Sequence, residues 1–234
     1  MKKHHSNRAI LVLESPWELD DGDANRTSIL PFIEGVAKLA GDTEVFHANF
    51  YDKSSFKKAL DCLCKTKFQN TIVYVAAHGY KKKIGNVKIS DVLWLIGDKS
   101  KSYNITGVML GACFVGENTA TMEAYIEETN LKWCVGYSSL TYWLPATLID
   151  CSLLSSMSQV DDFSKTNIIK SFADAISLFS NGFEIGLDYN DVKVCLKDSM
   201  QFVVQPSGQG NRAKNVSEDV FKIWQSLQLQ SYNI

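Results

Sequence analysis

Apolar residues along this chain fall into short unbroken runs, separated by stretches in which they recur every three or four positions. Ala9–Leu13 (AILVL), Thr71–Ala77 (TIVYVAA), Ile105–Ala112 (ITGVMLGA) and Lys132–Tyr137 (KWCVGY) are runs of strand length. Continuous apolarity of that length is what a strand buried on both faces requires. Thr43–Phe50 reads as a further strand. Between the runs, Ile29, Ile33, Val36, Ala37 and Ala40 repeat at helical spacing, as do Phe56, Ala59, Leu60, Leu63 and Cys64, and later Met122, Tyr125 and Ile126. Ser28 can cap the first of these helices, Pro31 fits its first turn and Gly41 can end it. Ser54 or Ser55 is the expected cap of the second. A hairpin is predicted around Gly85-Asn86, followed by a short helix from Ser90 to Ile96. Beyond residue 140 the pattern turns helical, with a stripe formed by Ile168, Ile169, Phe172, Ala175, Ile176 and Phe179. Residues 200–204 read as a late strand, and Ser217 as the cap of a last helix.

The resulting order, β-α-β-α-β-(hairpin)-α-β-α-β, predicts an α/β fold. It consists of a mostly parallel central sheet flanked by helices, three layers deep as α/β/α. Residues 205–216 are the one linker-like stretch and are short, so a single domain over residues 1–234 is expected.

Composition narrows the function classes. The chain has 234 residues, 45% hydrophobic and 21% charged, with a formal net charge of −2. Without a basic excess to neutralise phosphates, no nucleic-acid partner is expected. Lys81-Lys82-Lys83 is short enough to be a solvated turn. The apolar run after the basic start is too short for a secretory signal, and no run reaches the roughly 18 residues of a membrane helix. The six cysteines are scattered and match no zinc spacing. These features point to a cytoplasmic protein with no membrane partner, no metal and no disulfide framework. The loop ESPWELDDGDANRTS after the first strand carries no glycine-rich phosphate motif, which argues against a nucleotide-binding domain.

Candidate chemistry sits at two strand ends. His78 follows the run Thr71–Ala77, and Cys113 follows Ile105–Ala112. Parallel strands end on one sheet edge, about 4.8 Å apart when adjacent, and ligand sites of open α/β sheets lie beyond that edge. An imidazole there can take the proton of a thiol and later return it to a leaving amine. Gly79 and Cys113 can offer backbone N–H groups to an oxyanion. His47 is expected to be a packed or edge histidine. Trp94, Trp133, Trp143 and Trp224 are expected in the core, with Trp143 also a candidate for lining a pocket.

The segments VYVAAHG (Val73–Gly79) and MLGACFVG (Met109–Gly116) resemble the two catalytic segments of the caspase-like cysteine peptidases. That group includes caspases, metacaspases, gingipains, separase and the bacterial CHAT peptidases. The hairpin and capped helix at 83–96, and Gly136-Tyr137-Ser138-Ser139, are similar to the CHAT version, and the resemblance covers about residues 70–180. It implies a cysteine endopeptidase with His78 as general base and acid, and Cys113 as nucleophile of an acyl-enzyme mechanism. It implies no cofactor, a protein or peptide substrate, a possible activating partner, and for small bacterial relatives a switched role in stress or antiviral defence. The alternative is a catalytically inactive scaffold or binding module. Caspases and metacaspases carry a polar or acidic residue two places before the nucleophile, where this chain has Gly111, so the residue preferred before the scissile bond (P1) does not transfer. The acidic loop offers Glu14, Glu18, Asp20 and Asp21 as a basic-P1 pocket and Trp17 as a cleft-lining residue, and Ser138 and Trp143, after the fifth strand, are further candidate substrate contacts. Residues 98–104 or 205–216 are candidate loops for processing.

Overall fold

The computed structural model describes residues 6–17, 27–208 and 211–231. In chain order the elements are β1 (Arg8–Glu14), α1 (Leu30–Ala40), β2 (Thr43–Asn49), α2 (Lys53–Leu63) and β3 (Asn70–Ala76). Three two-residue strands follow, β4 (Gly79–Tyr80), β5 (Lys83–Ile84) and β6 (Val87–Lys88), then α3 (Ile89–Tyr103), β7 (Ile105–Gly111), a 3-10 turn (Val115–Asn118) and α4 (Thr119–Ile126). The second half comprises β8 (Trp133–Tyr137), β9 (Leu140–Thr141), α5 (Trp143–Ser158), α6 (Lys165–Ile176), β10 (Glu184–Leu187), β11 (Lys193–Cys195), α7 (Leu196–Ser199), β12 (Met200–Val204), β13 (Lys214–Asn215) and α8 (Ser217–Ser231).

The main sheet has seven strands in the order β13-β12-β8-β7-β3-β1-β2. The five strands β2, β1, β3, β7 and β8 are parallel; β12 pairs antiparallel with β8, and β13 pairs antiparallel with β12. The unbroken apolar runs have a plain cause. Strand side chains alternate between faces, and both faces are covered. Ile10, Val12, Ile72 and Tyr74 enter one core with α1, α5, α6 and α8. Ala9, Leu11, Leu13, Val73 and Val75 enter the other with α2, α3 and α4. This is the expected three-layer arrangement with a mostly parallel sheet.

Local details differ from the sequence expectations. The cap of α2 is Asp52, one half of a capping box with Ser55, because the carboxylate reaches the Ser55 amide at 2.7 Å. The residue before α1 is Ile29, while Ser28 Oγ accepts from the Leu30 amide at 3.3 Å. The helix expected to stop at Ile96 runs on to Tyr103 and ends on Asn104 in the left-handed conformation. Residues 98–104 are therefore helix and its cap, not a processing loop. Trp94 lies on the solvent face of that helix, 57% exposed, whereas Trp133 and Trp224 are in the core. The small antiparallel sheet β11-β10-β9 was absent from the periodicity because its strands are only two to four residues long. Among the described residues no helix is long and apolar enough to cross a membrane.

Candidate active site

Strands β3 and β7 are neighbours, with Ala76 opposite Gly111, and the Ala77 amide donates to the Gly111 carbonyl at 3.3 Å. Both chains leave the sheet immediately after. The β3 chain turns into the small sheet β4-β5-β6, held by the Gly85 amide donating to the His78 carbonyl at 2.7 Å. The β7 chain turns sharply at Phe114, whose φ of 62° is left-handed. An aromatic residue adopts that conformation only where its surroundings enforce it. Here the Phe114 amide donates to the Ser139 carbonyl at 3.1 Å, and its ring stacks on Tyr189 at 4.2 Å.

His78 and Cys113 thus leave adjacent strand ends and line one cavity of about 300 Å³. His78 is exposed and Cys113 half-buried. Gly79 packs on the backbone of Cys113: a Cβ there would lie 2.0 Å from the Cys113 oxygen and 2.5 Å from its nitrogen. Only glycine allows that approach.

The imidazole is oriented by a group that sequence reading could not find. His78 Nε2 lies 3.0 Å from the Trp17 carbonyl oxygen, and the two rings meet edge to face at 4.9 Å. A carbonyl only accepts, so Nε2 carries the proton and a neutral ring keeps its lone pair on Nδ1. The thiol is held from the other side. Cys113 Sγ accepts from the Thr141 amide at 3.3 Å and lies 3.6 Å from the Thr141 hydroxyl. Thr141 therefore fixes the sulfur's position through its backbone and its side chain.

The remaining candidates separate. Trp17 and Trp143 line the cavity. Glu14 does not; it is buried at 3% exposure. Its carboxylate accepts from the Trp17 indole at 3.3 Å, Ser28 Oγ at 2.7 Å and the Ile29 amide at 3.0 Å, and pairs with His47 Nε2 at 3.1 Å. Burial opposes its charge, but the bonds from His47, Ile29 and Ser28 outweigh that and hold its carboxyl below the ordinary range. Glu14 is therefore a brace for the Trp17 loop rather than a substrate contact, and His47 on edge strand β2 is its packed partner. Ser138 also turns away, donating through both its amide and its hydroxyl to the Ser199 carbonyl at 2.8 Å. Glu18, Asp20 and Asp21 lie outside the described residues.

An unforeseen residue forms the cavity floor. Asp150 of α5 is buried, and takes the Tyr74 hydroxyl on Oδ2 at 2.5 Å and the Tyr137 hydroxyl on Oδ1 at 2.6 Å. Burial pushes its carboxyl up to about 7, against the lowering effect of the two phenols. No group of three or more potential metal ligands is gathered among the described residues.

No protein-family model matches the chain, and no curated protein matches it. The chain is similar in structure to a secreted C11 cysteine protease from Bacteroides thetaiotaomicron, solved by X-ray with an irreversible peptide inhibitor. The TM-score is 0.51 at 8% identity, over 85% of this chain and 66% of that one. A second X-ray structure of a secreted C11 cysteine protease from the same organism, iotapain, aligns at 0.45 with 10% identity, again over 66% of its length. This chain therefore spans just under two thirds of those neighbours. The likeness is one of fold, and the fold is the caspase-like α/β arrangement that the two strand ends resembled.

Proposed function

We propose that this chain is a cysteine endopeptidase with His78 and Cys113 as its catalytic pair. The observation that carries the reading is their emergence from adjacent parallel strand ends at one cavity. In the proposed reaction, His78 Nδ1 removes the thiol proton and Sγ bonds to the scissile carbonyl carbon. The carbonyl electrons move to oxygen, toward the Gly79 and Cys113 amides. As the tetrahedral species collapses, the C–N bond breaks and the imidazolium gives its proton to the departing amine. Water then adds to the acyl-enzyme with His78 as base, releasing the acid and restoring the thiol. Trp17 fixes the imidazole through its carbonyl, and Glu14 fixes Trp17.

Protein or peptide substrates follow from this reading. A cytoplasmic setting, an activating partner and a switched role in stress or antiviral defence belong to the same proposal. They rest on the scattered cysteines and on the resemblance; the neighbouring protease is itself secreted.

The test is cleavage of a diverse peptide mixture followed by mass spectrometry, with wild type and Cys113→Ala in parallel. Cleavage by the wild type alone is expected. Iodoacetamide should label Cys113 well ahead of Cys62 and Cys195 near pH 7, and lose that lead in His78→Ala. No cleavage together with slow labelling would sink the reading, and leave an inactive scaffold or binding module in its place.

A further inference from the structure

One hairpin grips Cys113 from two sides. Strands β10 and β11 are paired and joined by residues 188–192, and β10 also pairs with β9, with Gly186 opposite Thr141. That pairing is close: a Cβ on Gly186 would lie 1.8 Å from the Leu140 oxygen. Strand β10 thereby fixes Thr141, whose amide donates to Cys113 Sγ at 3.3 Å. The tip of the same hairpin reaches the far side. There the Tyr189 ring lies flat on Phe114, the residue after Cys113, at 4.2 Å and 16°. Its hydroxyl donates to Glu117 Oε2 in the 3-10 turn at 2.9 Å. The tip is itself folded, since Asp188 Oδ1 accepts from the Asn190 amide at 2.7 Å and the Val192 amide at 2.9 Å.

We propose that Tyr189 is a positioning residue for Cys113: it holds Phe114 in its left-handed turn and so sets the backbone of the nucleophile. This rests on the peptidase reading above. The left-handed conformation is disfavoured about tenfold for a residue with a side chain, so a Phe114 without its cover would spend most of its time at negative φ. The chain beyond cannot follow that rotation. Gly116 packs on the backbone of Gly136 and Tyr137, where a Cβ would lie 2.6 Å from the Gly136 oxygen. A change of φ at 114 therefore turns the Cys113–Phe114 peptide instead, and carries Sγ and the Cys113 amide away from His78 and the oxyanion. Two contacts oppose it. The bond from the Phe114 amide to the Ser139 carbonyl fixes the peptide plane, and the stacked phenol fixes the ring beyond the rotating bond. Phe114 is 8% exposed and Tyr189 56%, so Tyr189 covers the turn from outside. A ring with one face in solvent adds little to the core, and neither Phe114 nor Tyr189 lines the cavity. Replacing Tyr189 should disturb neither fold nor substrate binding, only the geometry of the thiol.

The experiment measures kcat and KM on one peptide that wild type cuts in the mixture digest, for wild type, Tyr189→Ala and Tyr189→Phe. Tyr189→Ala should lose about tenfold in kcat with KM within about twofold, because chains with the turn relaxed still bind but do not react. Its melting by circular dichroism should stay within about 5 °C of wild type, and iodoacetamide labelling of Cys113 should slow with kcat. Tyr189→Phe keeps the ring and should retain about half of the activity or more. In a Phe114→Gly background Tyr189→Ala should add nothing, since glycine takes a positive φ unaided. An unchanged kcat in Tyr189→Ala, or a rise in KM alone, would overturn the positioning role while leaving the peptidase reading intact. Should wild type cut no peptide, hydrogen exchange of the Phe114 amide decides. Exchange about tenfold faster in Tyr189→Ala than in wild type and Tyr189→Phe upholds the clamp without the peptidase reading. Equal exchange in all three overturns it.

Discussion

Two buried carboxylates flank this site and behave oppositely. Glu14, at the end of β1, and Asp150, on α5, are 3% and 2% exposed. Glu14 is held below the ordinary carboxylate range, and Asp150 is pushed up to about 7. Burial is therefore not what distinguishes them. Glu14 accepts from a backbone amide, an indole, a hydroxyl and an imidazole that can itself carry charge. Asp150 has two phenols. Neutral donors offset part of the desolvation of a charge, whereas an amide and a potential cation together can exceed it. One side of the site is consequently a brace whose donors outweigh the cost of burial, and the other is a carboxyl whose two phenols only partly offset it.

The largest test of that contrast is the pH dependence of stability. Asp150 is raised from 3.8 to about 7 on folding, so the folded chain keeps a proton that the unfolded chain releases. Its contribution is complete below about pH 4, declines as pH rises, and is lost above about pH 7. Asp150→Asn has no such term. Urea unfolding from pH 4 to 8 should therefore shift in favour of the variant by on the order of 4 kcal/mol. A pH-independent difference would mean that Asp150 is ionised and satisfied as Glu14 is.

Glu14 has the opposite sign. Its carboxyl is lowered from 4.5, so its contribution is present above that value and lost as pH falls through the folded value. Glu14→Ala leaves the Ile29 amide and the Trp17 indole without their acceptor and His47 without its partner. A loss of about 3 kcal/mol at pH 7 is expected from urea unfolding. Because Trp17 orients His78, the rate of Cys113 alkylation should fall with it. A stability loss with alkylation unchanged would break the link between brace and imidazole.

The smallest effect concerns the thiol between the two sides. Thr141→Val removes the hydroxyl 3.6 Å from Cys113 Sγ but keeps the amide bond. The rate of Cys113 labelling by iodoacetamide at pH 7 should fall by less than about tenfold, and Thr141→Ser should restore it. No change would assign the effect to the amide alone.

His78 and Cys113 could be paired from the sequence because each ends an unbroken apolar run. Runs of that kind mean parallel buried strands, and those end on one edge. The brace and the floor gave no comparable signal. Glu14 sits in a visibly acidic stretch and drew a substrate role, yet its partners are Trp17, Ser28 and Ile29 just before α1, and His47 of β2, up to 33 residues away. Asp150 lies inside an apolar helix, and one of its phenols is 76 residues distant. Trp94 followed the same rule in reverse: an apolar side chain in a helical pattern ended on the solvent face.

The layers of this protein, the direction of its strands and the edge that carries a thiol and an imidazole were thus determined by sequence alone, because periodicity of burial is written residue by residue. The carbonyl that orients His78, the fate of Glu14 and the acid beneath Gly111 were decided only by tertiary structure. They depend on which distant donors reach a group once it is buried, and a backbone carbonyl or a phenol's direction leaves no trace in the order of the residues.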